Sequence, residues 1–302
     1  MHELIIIGGG PAGLTAGIYA QRARMDAILL ERLSPGGQVA LTDIVENYPG
    51  FPEIQGFELI RRFEEHARKF GLRIESGKEV TKVELEGDVK RVYCGDEVYE
   101  ALSLIIATGA KPKKLGVKGE EEFTGRGVSY CATCDGFFYR DKVVCVLGGG
   151  DTAVSEALYL SKLASKVYLI HRRDRLRAAK ILQERAMQRE NIEFIWNSTV
   201  EEIRGDDKVT SVLLRNLRSG ETRELPVDGV FIFVGTHPNT EFIDVEKDEN
   251  GFIITDEMLR TSAEGVFAAG DCRKKPLRQI STAVGDGALA VYSAEKYLEE
   301  RK

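Results

Sequence analysis

Strand-length runs dominated by apolar residues recur along the chain, at Leu4–Ile7, Ala27–Leu30, Leu102–Ala107, Val143–Leu147, Lys166–Ile170, Ile192–Trp196 and Val230–Val234. A run of this length without polar alternation predicts a strand covered on both faces, as in a parallel sheet. Between these runs the period changes. Helices are predicted from Pro11 to about Arg24, over Phe57–Phe70, after the second glycine run to about Ala164, and from about Thr282 to Glu300. Phe57–Phe70 is amphipathic and stops at Gly71, and its Arg61, Arg62, Glu64 and Glu65 read as a solvated face. Short alternating runs through Tyr99, turned at Gly87-Asp88, predict a small antiparallel meander. Strands alternating with helices make the chain α/β.

The strand–turn–helix–strand pattern occurs twice, each time with a glycine fingerprint. The first copy runs from Leu4–Ile7 into Gly8-Gly9-Gly10-Pro11-Ala12-Gly13. Gly8 makes the tight turn, Gly10 lets a pyrophosphate approach the backbone, and Gly13 lets the helix lie close to the strand. The phosphates then meet the helix N-terminus, at Pro11 and Ala12. The next strand ends at Glu31, an acid placed to bond ribose hydroxyls. The second copy follows Val143–Leu147 with Gly148-Gly149-Gly150-Asp151-Thr152-Ala153. Where the first copy has Glu31, the second has His171-Arg172-Arg173, with Arg177 expected one helical turn on. Arginines there suit a 2′-phosphate and an acid would repel it, so this copy favours NADPH over NADH. The plainer alternative is a basic helix start on the surface.

Lys111-Pro112-Lys113-Lys114 and Gly235-Thr236-His237-Pro238-Asn239 read as linkers. A length of 302 residues fits two domains. The expected arrangement is a first domain over 1–111 and 241–302, with a second, 112–240, inserted into it, both Rossmann-like. In the returning segment, Val266–Ala269 predicts a strand ending at Gly270-Asp271. Asp271 either binds a polyol hydroxyl or sits in an ordinary strand-end turn. Arg278-Gln279 precedes the closing helix, and Pro35-Gly36-Gly37-Gln38 and Glu46–Phe51 carry loop signatures.

Between the two fingerprints lies Cys131-Ala132-Thr133-Cys134-Asp135. A bridge across so small a loop would contribute only roughly 2 kcal/mol in the chain-entropy model. It makes better sense as a two-electron switch than as a staple. Asp135 is placed to hold or deliver the proton a dithiol gains or loses. Half of a zinc site is the other reading of the spacing. Cys94, Cys145 and Cys272 are isolated, however, and His2, His66, His171 and His237 form no pair at ligand spacing. The three isolated cysteines read as small buried hydrophobes.

Composition narrows the function classes. The chain is 43% hydrophobic and 30% charged, with a formal net charge of −6, which argues against a nucleic-acid surface. It has no run of about 18 apolar residues for a membrane span. Met1-His2-Glu3 lacks a secretory n-region. A reducing cytoplasm suits the few, scattered cysteines.

Taken together, Gly8–Gly13, Gly36-Gly37-Gln38, Glu46–Gly50, Ala107-Thr108-Gly109, Cys131–Arg140, Gly148–Ala153, His171–Asp174, Gly270-Asp271 and Arg278-Gln279 resemble the low-molecular-weight thioredoxin reductases over almost the whole chain. The resemblance implies FAD in the first unit, NADPH in the second, and a homodimer that reduces thioredoxin. It places Gly36, Gly37, Gln38, Asn47, Asp271, Arg278 and Gln279 at the flavin, with Thr108 and Gly109 among the cofactor residues and Gly235 at the second nucleotide. It makes Cys134 the sulfur facing the flavin, Cys131 the sulfur that attacks the partner, and Asp135 the acid/base. Phe137 and Phe138, with Arg126 nearby, would form the docking surface for thioredoxin. Electrons would pass from NADPH to FAD, to the Cys131–Cys134 disulfide, and on to thioredoxin. The switch must meet both the flavin and a large partner, so two domain orientations are expected, hinged at Lys111–Leu115 and Gly235–Thr240. Competing readings are a reductase of a glutaredoxin-like or peroxiredoxin-linked protein, a flavin reductase serving a one-electron carrier, and a nucleotide-binding redox sensor without turnover.

Overall fold

The computed structural model describes residues 1–42 and 44–301. The chain divides into two compact units, Met1–Lys111 with His237–Lys302, and Pro112–Thr236. Each is a Rossmann-like α/β unit, and the second is inserted into the first. The chain passes between them through Ala110–Pro112 and Thr236–Pro238, which pair as a two-stranded ribbon. No helix among the described residues is long and apolar enough to cross a membrane.

In the first unit the sheet runs in the order Arg73–Ser76, Ala27–Glu31, His2–Ile7, Glu97–Ile106, Lys90–Cys94, Lys82–Glu84. The three strands Arg73–Ser76, Ala27–Glu31 and His2–Ile7 are parallel. The strand His2–Ile7 lies where the order reverses, between Ala27–Glu31 and Glu97–Ile106. Along it, successive side chains enter opposite cores. Leu4 and Ile6 join Leu29, Ile105 and Phe267 under the helices Pro11–Arg22 and Ile280–Glu299. Ile5 and Ile7 join Ile28, Leu30, Leu104 and Ile106 on the other face, closed by Ile243, Val245 and Ile253. Two covered faces leave no position for polar alternation, which explains the unbroken runs. Each fully buried Ile or Leu there contributes about 1.5–3 kcal/mol of apolar burial.

Glu97–Ile106 is one strand where the sequence divides it. Its first half pairs antiparallel with Lys90–Cys94, and its second half pairs parallel with Val266–Ala268. The change from alternating to unbroken apolar pattern near Leu102 marks a change of covering, from one face to two, within a continuous backbone.

The second unit repeats the plan. Its parallel sheet runs Val128–Ser129, Gly229–Phe233, Val143–Gly148, Lys166–Ile170, Ile192–Ile195. The helices Asp151–Leu160 and Lys180–Met187 cover one face. An antiparallel sheet of Ser198–Gly205, Val209–Asn216 and Thr222–Pro226 covers the other. In both units the glycine fingerprint leaves the C-terminal end of the strand at the reversal point, the place where open α/β sheets bind ligands.

Candidate active site

In the first unit the fingerprint is built for close approach. Gly8 holds φ of +107°, a conformation side chains rarely adopt. A Cβ at Gly13 would lie 1.8 Å from the Gly8 carbonyl oxygen, so the helix could not pack so near the strand. Gly10 is different, because a Cβ there would meet nothing within 4 Å. The loop is crowded behind and open in front, and Pro11 and Ala12 start the helix beside that opening. Glu31 bonds the loop with both oxygens, Oε2 accepting from Gly9 N at 2.7 Å and Oε1 from Leu33 N at 3.0 Å. Gly36 donates its N–H to the Gly9 carbonyl at 2.8 Å, which brings Gly37 beside Gly10. Gln38 follows in the short 3-10 helix Gly37–Leu41 and is exposed.

The returning segment supplies the rest of this unit's site. Asn47 Nδ2 donates to Gln279 Oε1 at 3.0 Å. Thr108 Oγ1 donates to the Asn239 carbonyl at 2.6 Å, and Gly109 turns with φ of +63°. Asp271 Oδ1 is buried without a hydrogen-bond partner, and so is Arg278 Nε. The Arg278 guanidinium lies 4.0 Å from the centroid of the Phe252 ring, a cation–π contact that fixes its plane. Burial pushes the Asp271 carboxyl above its usual value, a rise that nearby Lys275 and Arg278 oppose. A buried acceptor and a buried donor left unsatisfied beside an open glycine loop fit a ligand with polyol hydroxyls and a pyrophosphate, as FAD has.

In the second unit Gly150 repeats the open position of Gly10, with nothing within 4 Å of its Cβ site. Asp151 accepts from Ala179 N at 2.7 Å. The Gly149 carbonyl accepts from Arg177 N at 2.7 Å and Ala178 N at 3.2 Å. These bonds fold residues 172–179 back over the glycine loop. The expected helical turn carrying Arg177 is therefore absent. The segment is a loop, and the helix begins only at Lys180. Arg172, Arg173 and Arg177 are exposed and form no ion pair among the described residues. His171 is buried against Gly149, whose Cβ would lie 2.4 Å from the ring. Burial, reinforced by Arg177, Arg173 and Arg172, lowers its pKa and keeps the imidazole neutral. Thr152 is exposed in the first helical turn, and Ala153 is buried under it. Gly235 sits at the end of the strand Gly229–Phe233, turned by φ of +137°, with nothing within 4 Å of its Cβ site. Open loops with unpaired arginines beside them fit a nucleotide carrying an extra phosphate, as NADPH does.

The same unit carries the cysteines. Cys131 and Cys134 form a disulfide, with Cα atoms 5.3 Å apart. Cys131 caps the short helix Ala132–Asp135, and its Sγ accepts from Cys134 N at 3.2 Å and lies 3.4 Å from Thr133 Oγ1. Its backbone is clamped by Ser129, whose Oγ accepts from Cys131 N at 3.0 Å and donates to Cys131 O at 3.1 Å. Cys134 is exposed and Cys131 half-buried. Tyr130 donates to Glu120 at 2.7 Å. Burial raises the Glu120 carboxyl, but bonds from Tyr130 and from the Leu115 and Gly116 amides outweigh it and leave the pKa lowered. The Asp135 carboxylate has no hydrogen bond or ion pair among the described residues. It lines a shallow pocket of about 230 Å³ with Arg126, Phe138, Lys142, Lys208 and Asp228. Phe137 and Phe138 are 65% and 70% exposed and meet edge to face at 6.4 Å. They sit on a 3-10 turn, which lets both project outward.

Sequence reasoning missed Ser129, Glu120, Phe252, Lys275 and Asp286. Glu120, Phe252, Lys275 and Asp286 become visible only when buried charges and rings find their partners.

Residues 2–287 match the family model of the pyridine nucleotide-disulphide oxidoreductases. The chain is 51% identical to a thioredoxin reductase of Listeria innocua, over 100% of this chain and 95% of that protein. It superposes on the crystal structure of Lactococcus lactis thioredoxin reductase with a TM-score of 0.98 at 48% identity, covering 99% of this chain and 100% of the other. A second solved structure, that of T. acidophilum thioredoxin reductase, gives a TM-score of 0.94 at 37% identity, covering 100% and 99%. The chain belongs to the pyridine nucleotide-disulphide oxidoreductase family, on its thioredoxin reductase branch.

Proposed function

We propose that this chain is an NADPH-dependent thioredoxin-disulfide reductase in which Cys131 and Cys134 carry the exchange. The observation that carries this reading is the Cys131–Cys134 disulfide, set in a unit with its own nucleotide cradle. Bound in the first unit, FAD would supply the two-electron relay between an NADPH hydride and that disulfide. The first unit holds FAD through Gly8, Gly10, Pro11, Ala12, Gly13, Glu31, Gly36, Gly37, Gln38, Asn47, Thr108, Gly109, Gly270, Asp271, Arg278 and Gln279. The second holds NADPH through Gly148, Gly150, Asp151, Thr152, Ala153, His171, Arg172, Arg173, Arg177 and Gly235.

The thiol chemistry follows from the local bonds. In the reduced pair, the Cys134 amide and the Thr133 hydroxyl sit beside Cys131 Sγ and favour its thiolate. That thiolate attacks one sulfur of the thioredoxin disulfide, and the other sulfur leaves and takes a proton. Cys134 then attacks Cys131 Sγ, which breaks the mixed disulfide, releases the second thioredoxin thiol and re-forms Cys131–Cys134. Asp135, free of other partners, gives and takes the proton. Phe137 and Phe138, with Arg126 beside them, are the docking surface, since large exposed aromatics next to a reactive disulfide suit a protein substrate. The enzyme works as a homodimer in the cytoplasm, where Cys94, Cys145 and Cys272 stay reduced and buried.

The test is NADPH oxidation coupled to reduction of oxidised thioredoxin. Wild type should turn over, and Cys134→Ser should not, while its flavin still bleaches with NADPH. Retained thioredoxin turnover in Cys134→Ser would remove the cysteines from the mechanism.

A further inference from the structure

Asp271 lies in the 3-10 turn Gly270–Cys272 that follows the strand Val266–Ala268, and its Oδ1 is buried without a hydrogen-bond partner. Four residues on, the Lys275 side chain is only 4% exposed, and its Nζ lies 3.7 Å from that oxygen. A buried ammonium so close to a carboxylate needs a reason to stay there, since its long chain has other rotamers. The reason is Asp286, on the closing helix. Asp286 Oδ2 accepts from Lys275 Nζ at 3.0 Å, and Thr282 Oγ1, one turn earlier on that helix, meets the same nitrogen at 3.2 Å. Asp286 is also gripped in bidentate fashion by Arg273, from Nε and Nη2, each at 2.9 Å. Its Oδ2 further accepts from Gly270 N at 2.9 Å, so it fixes the backbone just before Asp271. Arg273 and Lys275 balance Asp271 and Asp286 in charge. Burial raises the Asp286 carboxyl, but the bonds from Arg273 and Lys275 outweigh this and leave its pKa lowered. Asp286 is thus an ionised anchor only 8% exposed.

We propose that Lys275, pinned by Asp286 and Thr282, is a positioning residue for FAD: it holds the Asp271 carboxylate in the one place and charge state that a flavin polyol hydroxyl can use. This rests on the reading that Asp271 takes the flavin. The charged groups facing Asp271 are Lys275 and Arg278 on its own segment and Asp286 on the closing helix. Arg278 is already committed to the Phe252 ring, and Asp286 repels. Lys275 is therefore the larger of the two cationic effects that offset the burial of Asp271. Without it the carboxyl would take up a proton at higher pH and lose its fixed direction.

The experiment measures release of FAD from purified holoenzyme after dilution, by the rise of flavin fluorescence, between pH 5.5 and 8.5. Lys275→Gln should speed release at least about tenfold at pH 7, a factor equal to about 1.4 kcal/mol. Its rate should fall as pH rises, with a midpoint above that of wild type. Lys275→Arg keeps the charge and should stay within about threefold of wild type. In an Asp271→Asn background, Lys275→Gln should add nothing. An equal acceleration in that background would overturn the proposal, because Lys275 would then act without Asp271. Unchanged release in Asp271→Asn alone would overturn the flavin reading itself, and this proposal with it. If Lys275→Gln does not retain flavin on purification, titration of the purified variants with FAD replaces the release measurement, with the same non-additivity expected and the same result overturning the claim.

Discussion

Asn47 and Gln279, 232 positions apart, meet through a 3.0 Å hydrogen bond from Nδ2 to Oε1. Gln279 is also the N-cap of the closing helix, bonded reciprocally with Thr282. One amide thus ties an exposed loop of the first unit to the start of its last helix, beside Arg278. Replacing Asn47 with Ala removes a bond of about 1 kcal/mol. The expected result is FAD release about fivefold faster, with thiol exchange by chemically reduced enzyme unaffected. Stopped-flow flavin fluorescence reads the first, and a dithiol exchange assay the second.

Arg172 and Arg173 reach solvent beside the second glycine loop with no ion pair of their own among the described residues. Arg172→Ala with Arg173→Ala should raise KM for NADPH by roughly 10- to 100-fold, the loss of charge-assisted bonds to one phosphate. KM for NADH should change by less than about threefold. Equal losses for both nucleotides, measured in steady state, would mean these side chains do not read the 2′-phosphate.

His171 gives a pH signature. Its folded-state pKa is lowered from the usual 6.5, first by burial and then by the three arginines. The folded protein therefore resists protonation there while the unfolded chain does not. The stability tied to the neutral ring is fully present above pH 6.5 and is lost as pH falls below it. Thermal unfolding of wild type between pH 7.5 and 5 should show a steeper loss than that of His171→Asn. Parallel curves would contradict the assignment.

Phe137 and Phe138 contribute nothing to a core, being 65% and 70% exposed. Phe137→Ser with Phe138→Ser should leave the melting temperature within about 2 °C of wild type and leave flavin reduction by NADPH unchanged. KM for thioredoxin should rise at least about tenfold, as for loss of an aromatic anchor. An unchanged KM would place the docking surface elsewhere.

How far the sequence carries this depends on the kind of interaction. Gly8–Gly13 and Gly148–Ala153 are legible because close backbone approach demands glycine at fixed spacing. The unbroken run Leu4–Ile7 is legible because two covered faces leave no polar position. The strand Glu97–Ile106 reads as two pieces because periodicity reports how faces are covered and says nothing about whether the backbone breaks. Arg177 is expected one helical turn after Arg173, and that turn is absent because the bonds of Gly149 and Asp151 that hold residues 172–179 as a loop come from another part of the chain. Lys275 and Asp286 give no pattern at all. A lysine in a loop and an aspartate in a helix look like solvated charges until the fold places them 3.0 Å apart.

The central claim is that NADPH delivers two electrons through flavin to Cys131–Cys134. The most direct measurement is an anaerobic titration of the holoenzyme with NADPH, following the flavin band and counting thiols. The account predicts bleaching at low NADPH and about two new thiols per chain, from one opened disulfide, with none gained in Cys131→Ser. Bleaching with no new thiols would contradict it and leave the disulfide outside the path.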